Sequence, residues 1–525
     1  MAEAIVHYSL YQDKLIFGGI VILTYTGHPF IDDGVAAITA FVGKRRPEEV
    51  TPEDLEKVVK YIEQNYVRPP LRGYLTMAFT SNAWFIQDAF NPEKPGLSED
   101  ERAKRRATRD DWANRHLRQW QSQEASQDEL CAFTGQPAIV TTLSGKLPSS
   151  RAGRAQIPLL QGDDAINFFT NGDAGLPVSG LAMLALQFFP LGCAKCGIGL
   201  LAIHSDNENL TYKITSKLLK QNINAITLAQ VSGEDKLPKA SRSLKTLLIE
   251  NLIEAESDRS FAGEENEPAS LSAYNFNNGK DLDLAIYHLP FEIVRFLQLV
   301  QMAIYEHAWH QLVQRGWQLP QAKKGKKGEN EAIQEPSRNY LYEDLFSLPD
   351  NAPRFIRTYF LRIPRWSKNN DDPRRQYSLR NELDLISWSL VELFLKEVIH
   401  MDTTRIERIR TLGDGLALYV EKEGGKRFFR SFFTENNPSN FRALLIKANI
   451  VHIRNGHPSL FDVDTYIDVF EEGYDVMRPD WRLARDLVLM RMIDKLQQKW
   501  LPQNRDAIPQ EELESDTEPE PIVHE

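Results

Sequence analysis

The sequence predicts an α+β protein, with a mixed N-terminal α/β region holding a small cysteine knuckle and an all-α helical bundle behind it. Three observations predict this. Short apolar runs alternate with helix-period segments as far as residue 315. Two cysteines, Cys193 and Cys196, sit at Cys-x-x-Cys spacing between two apolar stretches. Beyond the Lys/Gly/Glu-rich segment 321–338 the sequence reads as nearly all-helical, with segments that carry apolar residues at i, i+3, i+4 intervals. The implied organisation is an N-terminal domain over 1–320, a flexible linker over 321–338, a bundle over 339–505 and a disordered acidic tail over 506–525.

Taken in order, Phe17–Tyr25 reads as a buried strand and Val35–Phe41 as a short apolar helix. Thr51-Pro52-Glu53-Asp54 is a helix start, a capping Thr followed by Pro and acids. That helix runs to Tyr66 with Leu55, Val58, Val59 and Ile62 on one face. Tyr74–Phe79 reads as another strand. The polar stretch Ser98–Glu124 is either a solvated helix of mixed charge or a helix laid along a phosphate backbone, with Arg102, Arg105, Arg106, Arg109, Arg115 and Arg118 available.

The apolar run Leu176–Ile203 is broken by Pro190, several glycines and Lys195, so it predicts a buried helix, a turn and a buried strand rather than a membrane span. A helix follows over Asn209–Gln230. Tyr274–Phe276 and Asp283–His288 flank Asn277-Asn278-Gly279 as a hairpin, and a long helix is expected over Phe291–Arg315. In the bundle, helices are expected over Glu382–Val398, Thr404–Tyr419, Asn440–Asn449, Val463–Glu472 and Trp481–Trp500.

Three cysteines in 525 residues exclude a disulfide framework and suit a reducing, cytoplasmic setting. The start MAEAIVHYSLYQDK lacks a basic segment ahead of a long apolar run, so no secretory signal is expected. The net charge of −11 argues at first against nucleic acid, but eight carboxylates and no Lys or Arg fall in Asp506–Glu525. Without that tail the chain is near −3 and its basic residues are clustered.

The motifs of phosphate-binding loops, nucleophile elbows and zinc proteases are absent. Asp462, Asp464 and Asp468 read as a helix cap and a solvated face rather than a two-metal site. Cys131, Cys193 and Cys196 are an incomplete ligand set for a structural zinc. Cys131-Ala132-Phe133-Thr134 has the form of a second knuckle with Thr134 in place of a ligand, and His204 is a candidate fourth donor. A redox pair and an empty, packed remnant are the other readings. No cofactor is required by any of them.

Basic loops form a more coherent pattern. Lys44-Arg45-Arg46 follows an apolar helix, and Lys146, Arg151 and Arg154 lie in a Gly/Ser-rich loop able to follow a phosphate backbone. Arg362, Arg365, Arg374 and Arg375 are interleaved with aromatics between Pro353 and Tyr377, which suits backbone contact with stacking. Arg405 and Arg408 continue the trend into the bundle. Asn82 and Gln87 either shape a turn or, in a protein that reads a short duplex motif, offer their amides to base edges, with Trp84 as a wedge.

TGHPFIDDGVAAITAF with the following VTPEDLEK, then CAFTGQPA, LAMLALQFFPLGCAKCGIGLLAIHS and YNFNNGKDLDLAIYHLPFEIVRFL, spread over residues 15–300, resemble the CXXC–CXXC large subunit of type I-B CRISPR interference complexes (Cascade). The family's first CxxC is broken here at Thr134. The resemblance implies a non-enzymatic protein that recognises the protospacer-adjacent motif in duplex DNA and supports R-loop formation, in antiviral defence or RNA-guided transposition. The partners it implies are crRNA, target duplex and displaced strand, backbone, 5′-end-capping and small subunits, and a helicase-nuclease or transposition factors, with no membrane. In related systems an internal start yields the small subunit. Met401 would give a 125-residue helical product, which N-terminal sequencing of the purified complex would detect. The competing classes are an architectural ribonucleoprotein scaffold that does not read DNA and a metal-dependent nuclease.

Overall fold

The computed structural model describes residues 22–160, 174–238, 241–261, 269–278, 283–320, 336–472 and 476–509. Its architecture is α+β, with small antiparallel pairings in the N-terminal half and helices in the C-terminal half. Two compact units are formed, one of residues 1–240 and 267–288, the other of 241–266 and 289–525.

In the first unit, helix α1 (Pro29–Phe41) starts six residues before the predicted Val35. Asp32 causes the early start by reaching back to accept hydrogen bonds from the Thr26 and Gly27 N–H groups at 2.7 and 3.0 Å, while Pro29 suits the first turn. Helix α2 (Pro52–Asn65) opens as predicted at Thr51, in a reciprocal capping box with Asp54. The predicted strand at Tyr74–Phe79 is instead the end of α3 (Leu71–Leu75) and the turns after it. The Tyr74 hydroxyl donates to the Pro190 and Cys193 carbonyls at 2.7 and 2.9 Å, so the aromatic, apolar composition there answers to core burial rather than to a sheet. Of the predicted strand Phe17–Tyr25, residues up to 21 lie outside the described residues, and Ile22–Tyr25 belong to no strand.

Helix α4 (Glu99–His116) is capped by Ser98 and Glu101. After a two-residue antiparallel pairing of β1 (Arg151–Ala152) with β2 (Leu176–Pro177), the apolar run folds as expected. It forms α5 (Gly180–Phe188), a 3-10 turn over Phe189–Gly192, and the hairpin of β3 (Ala194–Cys196) and β4 (Gly199–Ser205). Gly197 takes a positive φ of 58° in the hairpin turn, where glycine costs nothing. Helix α6 (Glu208–Ser232) follows, ended by Gly233 in the left-handed region. β5 (Leu271–Asn277) pairs antiparallel with β4, completing with β6 (Asp283–Leu289) a sheet of order β3-β4-β5-β6. Residues 279–282 of the predicted hairpin turn lie outside the described residues.

Helix α1 packs against α5, α6 and β4, and is buried over most of its length. Its approach to α5 is so close that a Cβ on Gly34 would lie 2.3 Å from the Ala185 carbonyl oxygen. Phe30 stacks on Phe189 with centroids 4.9 Å apart and tilts against Phe276, joining helix, turn and sheet in one core.

The second unit holds α7 (Leu244–Phe261), α8 (Phe291–Leu299) and α9 (Ala303–Arg315). The single helix predicted over 291–315 is thus two, because Met302 adopts extended backbone (ψ 142°) between them. A largely irregular stretch leads to α10 (Trp388–Glu397), α11 (Thr403–Tyr419), α12 (Gly425–Thr434), α13 (Pro438–Arg454), α14 (Val463–Phe470) and α15 (Trp481–Leu496). α11 packs along α15, with α14 against both, as a helical bundle. Asp402, one residue after Met401, caps α11.

Most of the predicted linker, 321–335, lies outside the described residues, as does 510–525 of the tail. The start of the tail is packed rather than loose: Ala507 and Ile508 are fully buried, and Asp506 accepts from Lys426 at 2.7 Å. Among the described residues no helix is long and apolar enough to cross a membrane.

Candidate nucleic-acid interface

The segment carrying Asn82 and Gln87 is held from below. Trp84 lies between the two, but it is 4% exposed and stacks on Trp112 at 4.5 Å, which in turn stacks on His116 at 4.3 Å. Burial pushes the His116 imidazole down to about 4, so the stack is neutral. Phe85 is fully buried beside it. Trp84 is therefore a core anchor, correcting its reading as a wedge: its ring is already committed to the interior. The anchor leaves Asn82 and Gln87 exposed. The Gln87 amide donates to the Asn82 carbonyl at 2.8 Å, and the Arg72 guanidinium to the Ile86 carbonyl, so the turn is closed on both sides.

The arginines of the Gly/Ser loop are placed differently from one another. Arg151, buried in β1, is paired with Glu129 at 2.5 Å, which removes it as a backbone contact. Arg154 is half-buried, and Lys146 is exposed at the loop surface. Of the earlier loop, Arg46 pairs with Glu49 at 3.2 Å, Arg45 is exposed, and the Tyr212 hydroxyl fixes the Lys44 carbonyl at 2.6 Å.

On α4, Arg102 and Arg105 donate to the Pro92, Asp88 and Asn91 carbonyls, Arg106 and Arg115 pair with Glu99 and Asp111 on the exposed face, and just beyond the helix Arg118 bridges Glu56 and Glu63.

In the second unit the aromatic-basic segment turns inward. Arg362 is wholly buried, bonded to Glu382 at 2.9 Å with its guanidinium 3.4 Å from the Tyr377 ring centre. Arg374 is buried between Asp372 and Asp344, both at 2.6 Å, and lies over the Tyr340 ring. Arg365 reaches Asp344 at 3.5 Å, while Arg375 is bonded to Asn370 at 2.7 Å. Arg405 pairs with Asp480 at 2.7 Å, and Arg408 with Asp468 at 3.3 Å. Arg362 and Arg374 thus cannot touch a phosphate, and Arg405 and Arg408 are neutralised by carboxylates far from them along the chain. The partners lie up to 75 residues away in the chain.

The three cysteines are not gathered. Among the described residues none belongs to a cluster of three or more His, Cys, Asp or Glu donors. Cys193 is buried with its Sγ directed at the Phe189 carbonyl (3.5 Å), and burial pushes its thiol, like that of Cys196, upward, which keeps both protonated. Thr134, at the broken knuckle, bonds Ser179 at 3.4 Å. His204, the candidate fourth donor, is committed to Asp32 at 3.0 Å. The residues present do not form a zinc knuckle.

Histidines that read as scattered do assemble elsewhere. Asp32 ties His204 to the start of α1, and His452 and His457 both reach Glu423. Their sequence separations, 172 and about 30 residues, gave no local pattern to find. No family model matches this chain, and no curated protein matches it.

Proposed function

We propose that the chain is the non-catalytic large subunit of a crRNA-guided surveillance complex. It recognises a protospacer-adjacent motif in target duplex and supports R-loop formation, while cleavage or insertion falls to partner proteins. The observation that supports this best is the Asn82–Gln87 turn, whose exposed amides stand on a buried Trp84–Trp112–His116 stack. A rigid, exposed turn loses little entropy on binding, and side-chain amides match the donor–acceptor pair on an adenine edge. Exposed Lys146 and Arg45 supply sequence-independent phosphate contacts in the same unit. In such complexes base pairing reads the guide-matched sequence and protein reads only the short motif.

The test uses the assembled complex and a panel of target duplexes with single changes in the motif. Replacing Asn82 and Gln87 by Ala should reduce discrimination between motif and non-motif duplexes by about 1–3 kcal/mol for each base edge lost. Replacing Lys146 and Arg45 by Ala should weaken all duplexes alike. If the Asn82/Gln87 variant discriminates as the parent does, the turn is not the reader. The second reading, a scaffold that does not read DNA, is favoured by the internal pairing of Arg362, Arg374 and Arg405. It predicts that the parent complex binds motif and non-motif duplexes equally.

A further inference from the structure

We propose that Glu423, His452 and His457 bind one divalent transition-metal ion of the zinc class. Glu423 Oε1 lies 2.7 Å from His452 Nδ1 and 3.3 Å from His457 Nε2, and all three donors lie within 4.8 Å of one another. The two imidazoles are stacked, with ring centres 4.6 Å apart and planes 27° from parallel. Ligands at zinc distances around a tetrahedral ion stand roughly 3.3 Å from each other. The His457–Glu423 pair already has that spacing, while the shorter His452 contact is that of a hydrogen bond, which widens when a metal replaces the shared proton.

The backbone is shaped to gather these groups. α11 runs into a single π-turn over Val420–Gly424, which contributes Glu423. The next residue, Gly425, has φ 52° and ψ −157°, a conformation reserved for glycine. Gly424 itself could not carry a Cβ, which would lie 2.5 Å from the Tyr419 ring. His452 comes from the last turn of α13. Gly456, at φ 86°, folds the chain back so that the His457 N–H donates to the His452 carbonyl at 3.3 Å. The second carboxylate oxygen of Glu423 accepts from Asn455 at 3.0 Å, the kind of outer contact that fixes a metal-binding carboxylate.

Two imidazole nitrogens and one carboxylate oxygen suit Zn²⁺ and its first-row neighbours, not the oxygen-seeking Mg²⁺ or Ca²⁺. His452 is buried and Glu423 nearly so, whereas the His457 side chain is 39% exposed. An ion would enter past His457, keep a water ligand on that side, and fasten the π-turn to the end of α13.

The experiment is a Co²⁺ titration of the full-length, chelator-stripped chain, read by visible absorption and reversed by Zn²⁺. One equivalent of Co²⁺ should bind, without a thiolate charge-transfer band in the near ultraviolet. Glu423→Gln, similar in shape, and His457→Ala, at the exposed ligand, should each weaken binding at least about tenfold. Unfolding temperatures measured in chelator establish that both variants are folded, and a variant that has lost its fold is replaced by His457→Gln. Failure of Co²⁺ to bind at micromolar levels would overturn the proposal. So would binding that survives both substitutions, or a thiolate band assigning the metal to the cysteines. Since the DNA-binding panel above is scored separately, either result leaves the proposed motif reading untouched.

Discussion

In the core of the N-terminal unit, Asp33 is fully buried with the Ile203 N–H and the Thr215 hydroxyl, rather than a cation, facing its carboxyl, whereas the C-terminal unit sets buried arginines against carboxylates. Arg362 faces Glu382, Arg374 faces Asp372 and Asp344, and Arg485 bonds its neighbour Asp486. The difference teaches how an arginine-rich sequence is to be read. Clusters of Arg and aromatics look like a nucleic-acid surface when counted along the chain. In space they are the polar core of a largely helical unit, with guanidiniums stacked on Tyr377 and Tyr340 and neutralised by acids both near and far along the chain. The N-terminal unit, with a tightly packed aromatic and aliphatic core around α1, leaves Asn82, Gln87 and Lys146 exposed.

The largest effect that would break this comparison is Arg362→Ala. It leaves the Glu382 carboxylate in the interior with the Arg315 side chain and the Ser378 N–H as its partners, and removes the stack on Tyr377. Breaking a buried pair from one side costs about 3–5 kcal/mol, here at the low end because Arg315 remains. Urea unfolding of the chain should register it, and a loss below about 1 kcal/mol would mean that Arg362 is not a structural charge. The matching test in the N-terminal unit is Gly34→Ala, whose methyl group would meet the Ala185 backbone. Overpacking of that kind costs about 1–3 kcal/mol. Gly197→Ala, at a positive φ but in open space, should cost only about 1 kcal/mol. Thermal unfolding that ranks Gly197→Ala as the more damaging of the two would refute the close α1–α5 approach.

Elements with a local signature were legible. The capping box at Thr51, the Cys-x-x-Cys turn between buried helix and strand, and the periodic bundle helices follow from residues a few positions apart. What was not legible depends on long-range partners. Tyr74–Phe79 has strand composition, yet Tyr74 is claimed by carbonyls over 100 residues away. Trp84 has a wedge's chemistry, but Trp112 takes its face. Arg405 reads as a cation, but Asp480 cancels it. The Glu423–His452–His457 group depends on a π-turn and a left-handed glycine, neither of which leaves a mark in apolar periodicity.

Asp33 gives the smallest and most selective test. Burial, with the Asp32 charge beside it, pushes its carboxyl well above the usual range. The folded state therefore holds a proton that the unfolded chain releases near the ordinary carboxylate value. Its contribution to stability is complete at acid pH and is lost as pH rises from that value through the raised one. Asp33→Asn keeps the shape, removes the titration, and retains an oxygen for the Ile203 N–H and the Thr215 hydroxyl. Thermal unfolding should show the variant more stable than the parent at pH 8, with the gap closing toward pH 4. Removing a carboxylate in the C-terminal unit acts in the opposite sense, since it takes a partner from a buried arginine, leaving Arg374 with Asp344 alone. Asp372→Asn should therefore destabilise at pH 8. If Asp33→Asn does the same, Asp33 has a counter-charge in the folded protein, and the contrast between the two units fails at the residue on which it most depends.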